Sequence, residues 1–157
     1  MKIEITPTYL VIANGVHAYF YDLEHHHAKS AHAETFKPII ELTHPDSRLK
    51  ISELMEDRAG KPGTNGIHGK YESHDDPHET ELKHFAKEIA TVLERAREEG
   101  KYERLIIVAP PHFHGILKQH LSKNVEALVA EHIQKDYASL HTKELNVAIK
   151  KIVDELV

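Results

Sequence analysis

The stretch Arg104-Leu105-Ile106-Ile107-Val108-Ala109-Pro110-Pro111 constrains this chain most. Its apolar residues run without alternation, so both faces of any strand they form must be covered. A strand buried on both sides belongs in the middle of a sheet with helices packed above and below, which is the α/β class. Pro110-Pro111 ends the strand, because proline has no amide for the ladder. Pro111 suits the first position of a following helix, "PHFHGILKQHL", whose Phe113, Ile116 and Leu117 share one face.

Other elements assemble around that strand. Apolar and aromatic residues flank Asn14-Gly15, the preferred pair for a two-residue type I′ hairpin with positive φ at both positions. Thr8–Ala13 and Val16–Asp22 are therefore expected as paired antiparallel strands. "TFKPIIEL" reads as a third strand, with the amide-less Pro38 on an unpaired side. Asp76, Pro77 and Glu79 form a helix start of the capping-box kind. Leu82, Phe85, Ala86, Ile89, Val92, Leu93 and Ala96 follow at helical spacing, and Gly100 supplies a left-handed stop. A last helix, capped by Ser139, aligns Leu145, Ala148, Ile149, Ile152 and Leu156. "NVEALVAEHIQKD" fits a helical period about as well as a strand, and "DSRLKISELMEDR" reads as a short helix or an irregular strap.

Residues 57–78 have a loop's composition, with glycines at 60, 63, 66 and 69 and no apolar period. A loop of that length inside a compact domain is usually functional. The 157 residues suit one domain, and neither an internal repeat nor a linker is present. Absent cysteine excludes disulfides, thiolate metal sites and cysteine nucleophiles, and suits a reducing compartment. No apolar run reaches the length of a membrane span, and the first residues lack the pattern of a signal peptide, so the expectation is a cytoplasmic protein without membrane contact.

The net charge of −5 is not that of an obligate nucleic-acid binder, but from Lys101 onward eight Lys/Arg face seven Asp/Glu. A basic face in that half remains open. The 15 histidines are the unusual count. Metal ligation is judged weakly for His74, His78, His112 and His114, and for the run His25-His26-His27 with His32. On a helix, residues i and i+2 diverge, so His112 and His114 do not make a site by themselves. Structural zinc takes about four ligands, and no partner pair is evident. No cofactor is expected. No serine sits in a nucleophile elbow.

Several segments together carry a family resemblance: "HPDSR", "DRAGKPG", "DDPHETELKHFAKEIA", "YERLIIVAPPHFHGILKQHL" and "IQKDYASLHTKEL". They resemble the bacterial host attachment proteins over nearly the whole chain. That family is similar to the middle domain of archaeal and eukaryotic peptide-chain release factors and Pelota. The resemblance implies a ribonuclease H-like mixed sheet of five strands, ordered β-β-β-α-β-α-β-α, and it favours a strand at Ala127–His132. It also implies a release-factor-like role in translation, with association to RNA or the ribosome through the long loop. The phosphate contacts would come from Arg58, Lys61, Lys70, His112 and Lys135, although Arg58 is as readily paired with Asp57 or Asp46.

Where release factors carry Gly-Gly-Gln, this loop has no glutamine, so peptidyl-tRNA hydrolysis by that motif is not expected. "TYLVIAN" and "RLIIVA" lack the carboxylates that a two-metal nuclease of this fold draws from its first and fourth strands. The expectation is binding without intrinsic catalysis. The alternatives are an indirect role in attachment to host cells, as the family label says, and a histidine-rich metal-binding protein or metal-dependent hydrolase.

Overall fold

The computed structural model describes residues 6–23, 35–44 and 77–156. Five strands form one mixed, open sheet in the order β3-β2-β1-β4-β5. They are β1 (Thr8–Ala13), β2 (His17–Asp22), β3 (Ile40–Thr43), β4 (Arg104–Val108) and β5 (Val129–Ile133). β1 pairs antiparallel with β2, and β2 with β3. β4 runs parallel to both β1 and β5. Among the described residues, four helices accompany the sheet: α1 (Pro77–Glu98), α2 (Pro111–His120), α3 (Lys123–Leu128) and α4 (Thr142–Leu156).

Strand alternation sorts the core into two layers. Tyr9, Val11, Leu105 and Ile107 point to one face and meet Phe85, Ile89, Leu93, Phe113, Leu117 and Val125 from α1, α2 and α3. Leu10, Ile12, Ile106 and Val108 point to the other and meet Leu145, Ile149, Ile152 and Val153 of α4. All six residues of β1 are buried, as are the last four of β4, so the unbroken apolar run does mark the covered centre of the sheet. Each such aliphatic side chain contributes roughly 1.5–3 kcal/mol by leaving water.

Several boundaries differ from the sequence expectations, each for a physical reason. The hairpin does not turn at Asn14-Gly15 in type I′ form. Ala13 is opposite Ala18, and Gly100 at φ +71° is the one residue with a positive φ among the described residues. Instead, Asn14 Oδ1 accepts from the amides of Val16 and His17, at 2.9 and 2.8 Å. This side-chain turn replaces the backbone turn that positive φ would have provided. β2 accordingly begins at His17, not Val16. Glycine at position 15 still matters, because a Cβ there would press on the buried Leu82 side chain of α1.

The third strand is confined to Ile40–Thr43, leaving Pro38 outside the ladder. The ambiguous segment after Ser122 is both helix and strand. α3 continues through Leu128 and β5 starts at Val129, so Ala127 and Leu128 are helical rather than part of the expected strand. Ser122, not an expected element, caps α3 by accepting the Val125 amide at 3.1 Å. Ser139 does not cap the last helix, which begins at Thr142; its hydroxyl donates to Asp136 Oδ2 at 2.7 Å. α1 stops as expected. The Gly100 and Lys101 amides reach the carbonyls of Arg97 and Ala96, at 3.0 and 2.9 Å, closing a Schellman cap. Among the described residues, no helix is long and apolar enough to cross a membrane.

Candidate functional site

The two parallel pairings set the direction of the site. β1 and β4 end together, with Ile12 beside Val108, and β5 ends with them, Ile133 beside Val108. β2 starts and β3 finishes at the same edge, where His17 faces Thr43. In open α/β sheets, the crevice beyond the carboxyl ends of the strands is where ligands bind. Here that edge collects Asn14, His17, His44, the Pro110-Pro111-His112 corner and the Lys135-Asp136 turn. The N-terminal end of α1 joins them, since α1 leads back through Gly100 to the start of β4.

Two histidine–carboxylate contacts tie α1 to this edge. His44 Nε2 donates to Glu81 Oε2 at 2.8 Å, with both side chains largely buried. The His44 ring leans on Phe85 at 5.3 Å between centroids, and its own amide donates to the Val16 carbonyl at 2.7 Å. His112 Nε2 forms a short contact with Glu79 Oε1. Glu79 therefore reaches across to α2, and its expected capping partner Asp76 lies outside the described residues. Asn14 completes the edge: its Nδ2 donates to Asp136 Oδ1 and to Ser139 Oγ, each at 3.1 Å. One asparagine thus shapes the hairpin turn with its oxygen and clamps the β5–α4 connection with its nitrogen.

His114 points the other way. It is 6% exposed, under α2, and its Nε2 lies 2.7 Å from His132 Nδ1 of β5. The far nitrogen of His132 faces Glu126 Oε1 of α3 at 3.3 Å. Burial, the neighbouring His132 and Lys118 together hold the His114 imidazole below its ordinary pKa, against a smaller opposing effect of Glu126. His112 and His114 sit on one helix and diverge, as their spacing dictates.

Of the residues singled out by sequence, His78 occupies the first turn of α1, and Lys135 follows β5 with its Nζ 5.9 Å from the Tyr137 ring centroid. Arg58, Lys61, Lys70 and His74, the pairing of Arg58 with Asp57 or Asp46, the run His25-His26-His27 with His32, and the segment "DSRLKISELMEDR" lie outside the described residues. Among the described residues, no three His, Asp or Glu side chains converge as metal ligands. Sequence reasoning missed His44, Glu81, Glu126 and His132. Their contacts span 37 residues for His44–Glu81 and 18 for His114–His132, so no local pattern announces them.

The family model described as "Protein required for attachment to host cells" matches residues 9–149, covering all five strands but for Thr8, together with the first half of α4. No curated protein matches the chain. The match spans the sheet, the histidine-lined edge and the segment inserted between β3 and α1, and the chain belongs to this host-attachment family.

Proposed function

We propose that this protein is a release-factor-like domain that associates with ribosomal RNA and acts by binding rather than by its own catalysis. The observation that carries the reading is the strand order β3-β2-β1-β4-β5, with an antiparallel meander on one side and two parallel crossovers on the other. This order is the one expected of a ribonuclease H-like sheet, and it supports the reading drawn from the resemblance to release-factor middle domains. The insertion point supports the same reading. His44 follows β3 and Pro77 opens α1, and the His44–Glu81 bond holds these two points of the described chain together, on either side of residues 45–76 in the sequence. Arg58, Lys61 and Lys70 from that insertion, with His112 and Lys135 from the edge, are the residues assigned to backbone phosphates. β1 and β4 present Thr-Tyr-Leu-Val-Ile-Ala and Arg-Leu-Ile-Ile-Val, without a carboxylate to hold catalytic metal ions.

Co-sedimentation of the purified protein with ribosomes on sucrose gradients tests this. The protein should travel with ribosomal fractions at low salt and leave them as salt rises, because phosphate contacts release counterions. Replacing Arg58, Lys61 and Lys70 with alanine should weaken the association without lowering the unfolding temperature. Absence from ribosomal fractions even at low salt would overturn the reading. A triple variant that unfolds more easily yet binds as before would assign those side chains to holding the loop base instead.

A further inference from the structure

We infer that His114, His132 and Glu126 form a proton-sensitive clasp that fastens α2 and α3 to the edge strand β5. The three side chains come from three elements and make one line: His114 Nε2 to His132 Nδ1 at 2.7 Å, then His132 Nε2 to Glu126 Oε1 at 3.3 Å. The rings meet edge-on, with centroids 4.8 Å apart and planes at 85°, which aims a nitrogen of one ring at the other rather than stacking them. The second carboxylate oxygen, Glu126 Oε2, is buried and has no hydrogen-bond partner among the described residues. His132 is thus the partner found for this half-buried carboxylate among the described residues.

The chemistry of the line fixes its protonation. A carboxylate accepts, so His132 Nε2 carries a proton. In the neutral pair His132 Nδ1 is then bare and accepts from the Nε2–H of His114. One added proton is accommodated, because a ring with two N–H groups still donates to the lone pair of the other. A second added proton places N–H against N–H and two like charges 2.7 Å apart, and the bond between α2 and β5 is lost. The groups acting on His114 are Lys118 of its own helix, His132 of β5 and Glu126 of α3. Lys118 and His132 oppose its protonation, and Glu126 favours it more weakly. β4 contributes the uncharged Leu105 and Ile107 to this layer, and Glu79 of α1 is engaged by His112.

β5 is the strand where such a clasp has consequence. It lies at the end of the sheet, and its pairing with β4 is interrupted by an irregularity between Leu105 and Ile106. None of its residues is buried and Ala130 and Glu131 are exposed, in contrast to β4. Loosening it frees the elements that carry His112 and Lys135, while leaving the β1–β2 hairpin intact.

Hydrogen exchange of the full chain between pH 7 and pH 5, corrected for intrinsic rates, tests the clasp. Exchange in residues 111–133 should accelerate on acidification by at least ~10-fold relative to β1 and β2, the factor expected for one linked proton per pH unit. In His114→Gln the amide nitrogen donates to His132 Nδ1, and the amide oxygen accepts from it once that ring is charged. The acceleration should therefore disappear in that variant. Ring-nitrogen resonances of the unaltered protein provide a second readout, which stands even if the variant fails to fold. The His114 ring should titrate below the range of an ordinary imidazole. Uniform acceleration across the sheet, or a His114 ring titrating near pH ~6.5, would overturn the clasp.

Discussion

Replacing Gly15 with alanine measures how closely the hairpin is pressed onto α1. Gly15 has no positive φ, so the added methyl costs nothing in backbone strain. It enters space held by the Leu82 side chain, which is 5% exposed and packed in the layer with Phe85 and Ala18. Overpacking of this kind costs about 1–3 kcal/mol. Stiffening of the unfolded chain by alanine returns roughly 0.4–1 kcal/mol. The net loss should be about 1–2 kcal/mol, a fall in unfolding temperature of roughly 2–8 °C for a chain of this size.

The assay is urea unfolding followed by far-ultraviolet circular dichroism on Gly15→Ala, Leu82→Ala and the double variant. Leu82→Ala alone should cost about 2–5 kcal/mol through lost burial and the cavity it leaves. In the double variant the new methyl fills part of that cavity, so the double should be no less stable than Leu82→Ala alone, within ~0.5 kcal/mol. Strict additivity of the two single losses would refute the contact. An unchanged Gly15→Ala would refute the packing argument altogether.

Gly100→Ala should destabilise by a different route. Nothing lies within 4 Å of a Cβ at Gly100, yet its φ of +71° costs an alanine about 1–2 kcal/mol, and no substitution at a neighbouring side chain should rescue it in the same urea assay. Acid should also weaken the fold through His114. Its folded-state pKa is lowered, so the unfolded chain binds more protons in the window between that value and about 6.5. This contribution is fully present above pH ~6.5 and is lost as the pH falls through that window; in His114→Gln this part of the acid limb should be absent from the curve of urea midpoint against pH.

Much of the architecture was legible in local chemistry. The unbroken run at Leu105–Val108 implied a doubly covered strand, and burial of every one of its residues bears that out. The spacing of Leu82, Phe85, Ile89 and Leu93 located α1, and Gly100 located its end, because amphipathic period and left-handed caps are local properties. The misses came where local signals tie. Val125, Leu128, Val129 and Ile133 satisfy both periods, and the chain resolves the tie by changing from helix to strand at Val129. That point is fixed by the pairing of Val129 with Leu105. Asn14-Gly15 carried a genuine turn signal, but the asparagine side chain, bonded to Asp136 and Ser139 some 120 residues later, set a different turn.

Composition and order of residues thus determined that this chain forms a covered mixed sheet, where its long helix starts and stops, and that its central strands carry no carboxylates. Only the folded arrangement decided which of the 15 histidines have work to do. His44 and His112 meet carboxylates of α1, whereas His114 meets another imidazole backed by Glu126. The reason is geometric. A proton's affinity for an imidazole depends on groups within a few ångströms, and those neighbours are brought together by strand pairing and helix packing across many residues of chain.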